Sequence, residues 1–81
     1  MKLSELMNEC DYATEIELHN ARDGRLVANT PKSLKKYGTV EVIGFHPQLK
    51  MSSDGKLARP FLYVWGHSCD IQDVKEKEKG A

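Results

Sequence analysis

The chain has little of what usually announces a function. Only two cysteines occur, Cys10 and Cys69, and they form no CxxC pair. A reduced, cytoplasmic setting with two free thiols is therefore expected. No long apolar run occurs near the start, so neither a signal peptide nor a membrane span is expected. There is no charge excess of either sign, with 12 Lys and Arg against 12 Asp and Glu. That argues against a generic nucleic-acid binder, which carries a basic surplus, although it leaves room for a local basic pocket. No GxGxxG, Walker or HExxH element is present.

The remaining candidates for chemistry are thin. His19, His46 and His67 match no zinc spacing, and His67 with Cys69 and Asp70 makes an incomplete ligand set. Cys69 beside His67 is the only local nucleophile–base pair, and nothing visible activates it. Glu15 and Glu17 share one face of an extended segment and read as its wet side. An enzyme is not expected, and no metal or cofactor is called for.

Eighty-one residues make one small domain with a modest core. Oligomerisation is the usual remedy at this size. Lys2 to Glu9 has Leu3, Leu6 and Met7 at helical spacing. Thr14 to His19 alternates, with Thr14, Ile16 and Leu18 opposite Glu15, Glu17 and His19. Asp23-Gly24 marks a turn, and Arg25 to Asn29 returns as the second strand of a hairpin. Thr30-Pro31 opens a short helix that Gly38 can close, with Lys35 and Lys36 in its last turn. Thr39 to His46 is apolar on both faces. Gly44 allows a bulge there, and Pro47 is expected to bend or stop the strand. Asp54-Gly55 makes a second turn, and Leu57 to Trp65 returns, with Pro60 near its start. Ser68 caps a short helix to Val74. The fold expected is α+β: about four antiparallel strands in two hairpins, with a short N-terminal helix and a short helix between the hairpins. Residues 1–74 form the domain, and the charged run 75–81 is expected to be a disordered tail.

The richest stretch is Arg59-Pro60-Phe61-Leu62-Tyr63-Val64-Trp65-Gly66-His67, which holds the only Trp. Alternation puts Phe61, Tyr63 and Trp65 on one face and Leu62 and Val64 on the other. A strand apolar on both faces belongs near the centre of the sheet. One short helix cannot cover both faces, so the aromatic side needs a second subunit or a ligand. Tyr63 and Trp65 can stack a base, Arg59 can hold a phosphate, and His67 can add a polar contact. The same aromatics can equally be core or dimer interface.

Lys2-Leu3-Ser4-Glu5-Leu6, Thr14-Glu15-Ile16-Glu17-Leu18, Asp23-Gly24-Arg25-Leu26 and Val40-Glu41-Val42-Ile43 together resemble a loose class of small bacteriophage and prophage proteins of Gram-positive bacteria. The likeness covers roughly residues 2 to 65 and consists of structural positions; the ARPFLYVWGH ending departs from it. Most members have no known activity, so no site residue is carried over. The resemblance implies a small non-enzymatic protein that counters host defence by stoichiometric binding. Its favoured form is a homo-oligomer that sequesters a nucleotide-derived signal through Arg59, Tyr63, Trp65 and His67. The alternatives are an interaction module that inhibits a host defence protein or nuclease, and a structural or accessory phage protein.

Overall fold

The computed structural model describes residues 1–10 and 15–79, with Lys79 described by its backbone alone. The chain runs α1 (Leu3–Glu9), β1 (Glu15–Asn20), β2 (Leu26–Ala28), α2 (Pro31–Lys36), β3 (Val42–Met51), β4 (Ala58–Gly66) and α3 (Ser68–Lys79). The α+β class and both hairpins are as expected. Thr14 lies outside the described residues.

Each turn has a local cause. Gly24 and Gly55 sit at φ +73° and +72°, a region that a side chain disfavours. In α2 the cap is reciprocal. Thr30 Oγ1 accepts from the Ser33 amide at 3.2 Å, and Ser33 Oγ accepts from the Thr30 amide at 3.1 Å. Gly38 does something other than close α2 with a left-handed turn. It follows the Tyr37 cap without positive φ, and a Cβ there would lie 3.3 Å from Ser4 Cβ. It lets α1 lie close, and the first amides of α1 bond to this segment, Leu3 to Val40 O and Ser4 to Gly38 O.

The strand order is β2-β1-β4-β3. Both hairpins are antiparallel, as expected, but they meet through a parallel pairing of β1 with β4, from Glu15↔Phe61 to Asn20↔Gly66. The sheet is therefore mixed. The β2–α2–β3 connection carries the chain from one edge to the other, which leaves β1 and β4 running the same way.

Pro47 does not break β3, which runs through it in register with Leu62. β3 is an edge strand, where alternate N–H groups point away from the sheet and a missing donor costs no ladder bond. The register shifts between Val42 and Gly44, so Ile43 is the bulged residue and Gly44 directly follows it. Among the described residues, Pro60 pairs only toward β3, since the described part of β1 starts opposite Phe61.

The C-terminal run also differs from the expected tail. α3 extends through Lys79, so residues 75–79 are helical, and Lys36 bonds Glu78 at 3.4 Å. Residues 80–81 lie outside the described residues. The helix is capped by His67, not Ser68. The His67 carbonyl accepts from Ile71, and its Nδ1 accepts from the Cys69 amide at 3.2 Å.

Among the described residues, helices pack on one face of the sheet. Leu3, Leu6, Leu34, Val40 and Ile71 meet Ile16, Leu18, Ala28, Leu62 and Val64, all buried. Gly66 ends β4 beneath this layer. A Cβ there would lie 2.8 Å from Val40, 2.9 Å from Leu18 and 3.3 Å from Ile71.

Candidate functional site

The opposite face of the sheet carries no helix among the described residues. Paired residues share a face, so the register sets its content. Glu17, Tyr63 and His46 form one row, and His19, Trp65 and Gly44 the next. Glu15, Phe61 and Gln48 precede them, with Lys50 and Arg59 beyond.

The rings stand in a ladder across three strands. His19 stacks on Tyr63 with centroids 4.0 Å apart and planes 9° apart. His46 lies on the other side of Tyr63, at 5.6 Å and 8°. Trp65 tilts against both, 4.8 Å from Tyr63 and 4.9 Å from His46. Gln48 hydrogen-bonds the His46 ring. His19 is buried, whereas Tyr63, Trp65 and His46 are half-buried. The His19 Nδ1 faces Gly24 O at 3.1 Å, and its Nε2 faces Glu17 Oε1 at 3.2 Å. Both partners are acceptors, so the ring serves both only by donating from both nitrogens.

Beside the rings lies an ionic ledge. Lys50 bonds Glu17 closely and Glu15 at 3.6 Å. Arg59 bonds Glu15 at 3.2 Å and stays 72% exposed. Lys50 also sits 4.9 Å over the Phe61 ring, a cation on an aromatic face. Two acids meet two bases, so the ledge is balanced. The Lys50 ammonium, with His19 second, holds the Glu17 carboxyl below the usual carboxylate range against the opposing effect of burial.

That depression has a sign. A carboxyl whose folded pKa is lowered contributes stability above its unfolded pKa and loses it as pH falls through the folded value. Melting temperature is expected to drop as pH passes below about 4. Glu17→Gln should flatten that dependence and cost about 1 kcal/mol or less at neutral pH. Carbon-detected NMR titration of Glu17, with and without Lys50→Met, checks this. A Glu17 midpoint unmoved by Lys50→Met would reject the assignment.

Of the residues singled out in the sequence, Arg59, Tyr63 and Trp65 share this face. His67 does not join them, since its ring caps α3. The three that share the face are spread along the strand. Six residues at about 3.3 Å each put Arg59 and Trp65 roughly 20 Å apart. Both faces of Tyr63 are covered by histidine rings. Lys50 was missed in the sequence; its alternation with Gln48 and His46 on one strand was the available signal. His67 Nδ1 accepts from the Cys69 amide, and the two cysteines are free. Among the described residues, no group of three or more His, Cys, Asp or Glu is placed to hold a metal ion.

A cleft of about 530 Å³ lies elsewhere, between the β1–β2 turn and α3. Arg22 and Lys75 line it together with Asp23 and Asp73, so it too is charge-balanced. No sequence pattern announced it, because the parallel crossing brings those segments together.

The molecule is thus a small α+β protein with a four-stranded mixed sheet covered on one face. No protein-family model matches the chain, and neither curated proteins nor solved structures show significant similarity to it. Among the described residues no helix is long and apolar enough to cross a membrane.

Proposed function

We propose that this chain is a non-enzymatic binding module whose open sheet face docks a protein partner. The observation that carries this reading is the ring ladder with its ionic ledge, left without a covering layer. Half-exposed Tyr and Trp, with Arg59 farther along the same face, is the composition of interface hot spots. A balanced ledge can exchange its ion pairs for intermolecular ones without stranding a charge. The phage-like pattern of residues 2 to 65 supplies the setting: stoichiometric inhibition of a host defence protein.

The geometry ranks this above capture of a nucleotide. One chain does not bring Arg59 and Trp65 within the span of a single nucleotide. Arg59 is already held by Glu15, and Tyr63 has no free face to offer a base.

Two measurements separate the readings. Native mass spectrometry with cyclic dinucleotides and ADP-ribose derivatives is expected to show no ligand mass shift. Capture of a defined protein from bacterial lysate is expected to be lost in Trp65→Ala, at least tenfold in affinity, with the melting transition retained. A nucleotide shift abolished by Arg59→Ala would restore the sequestering version. Capture indifferent to Trp65→Ala would remove the open face from the account.

A further inference from the structure

The helix layer stops before it reaches β3. Phe45 pairs with Val64 and Pro47 with Leu62, so these residues point to the helix side of the sheet. Val64 and Leu62 are buried, yet Phe45 remains 46% exposed. Leu49 at 66% and Met51 at 62% continue the same row. Pro47, Ala58 and Pro60 lie among them and are exposed. Six apolar side chains thus form one strip on the helix side, away from the ring ladder.

We propose that this strip is a homodimer interface, with the β3–β4 hairpin of a second copy completing the layer that the helices leave unfinished. Three observations select a second copy. The first is area. At about 150–250 Å² per large side chain, the strip exposes roughly 500 Å² of apolar surface. A stable interface buries about 800 Å² per partner, of which about 65% is apolar in homodimers, so the strip matches the requirement. The second is charge. A two-fold contact sets each residue near its own copy or its neighbours' copies. The strip contains no ionisable group, so self-apposition meets no like-charge repulsion. The third is the ribbon itself. Among the described residues, β4 pairs with β3 alone from Ala58 to Pro60, and the molecule is drawn out to 45 × 24 × 22 Å. A two-stranded ribbon is marginal in water and gains from a covered face.

The contact runs face to face and not edge to edge. Pro47 lies in the middle of the free edge of β3 and removes a donor that an added strand would need. The proposal moves the dimer contact from the aromatic face to its reverse and leaves the ring ladder open to another partner. It stands independently of the function proposed above.

Sedimentation equilibrium tests it. The wild-type chain is expected to be a dimer at about 100 µM. Leu49→Lys places a charge on a side chain that is exposed in the single chain, so the fold is retained. It should weaken the dimer at least tenfold. Met51→Lys should do the same, and circular dichroism confirms folding of both. Trp65→Ala should leave the dimer intact. A monomeric wild-type protein at that concentration would overturn the proposal. So would folded Leu49→Lys and Met51→Lys variants that both remain dimers, or a dimer lost only in Trp65→Ala.

Discussion

Gly66→Ala is expected to lower stability by about 1–3 kcal/mol although it adds a single methyl group. The new Cβ would fall 2.8 Å from Val40 Cγ1 and 2.9 Å from Leu18 Cδ1. Neither neighbour can yield into solvent, since both are fully buried. Packed interiors have few voids to absorb the displacement. The cause can be separated from a general intolerance of the strand end. Leu18→Ala alone should cost about 2–5 kcal/mol by leaving a cavity. Combined with Gly66→Ala, it should cost less than the two changes summed, because the methyl enters the space vacated. Urea unfolding of the four proteins gives the coupling. Additive costs would mean that the contact with Leu18 is not the reason for glycine here.

Ile71→Ala should be comparably severe, at about 2–5 kcal/mol. α3 is a twelve-residue helix of mostly polar sequence, and a helix that short is marginal by itself. Ile71 is 1% exposed and packs with Leu18 and Val40, with Val74 only partly buried behind it. Truncating this anchor should release the charged second half of the helix first. Far-UV circular dichroism at low denaturant would show helix loss before the main transition. A single unchanged transition at wild-type stability would show that α3 is held by its cap and by the Glu41 amide bond to Asp70 instead.

The hairpins were readable because each rests on a glycine turn between alternating segments, and both signals are local. The same holds for Thr30 and Ser33 at the start of α2. What escaped was set by tertiary contacts. The parallel pairing of β1 with β4 has no signature in either strand. Pro47 reads as a strand breaker until β3 is known to be an edge. The run KEKEK reads as a solvated tail because its charges alternate, yet Ile71 and Lys36 hold it as helix. Of the site, Phe61, Tyr63 and Trp65 were assigned correctly to one face by period two. Glu17 and His19 were likewise placed together on one face of β1, but that they and Lys50 stand around Tyr63 was not legible, because register across three strands decides who stands beside whom.

That register has a consequence for how the chain reaches its fold. The two hairpins close over a few residues each, and such events are fast. Every β1–β4 pair, from Glu15↔Phe61 to Asn20↔Gly66, joins residues 46 apart in sequence. The centre of the sheet is thus the last part that can form, after two locally closed halves have searched for each other. During synthesis, β1 must wait until β4 has been made. For that interval Leu18 has only Ala28 of β2 beside it, Ile16 lacks its β4 partner Leu62, and the first hairpin depends on α1 and α2 for cover.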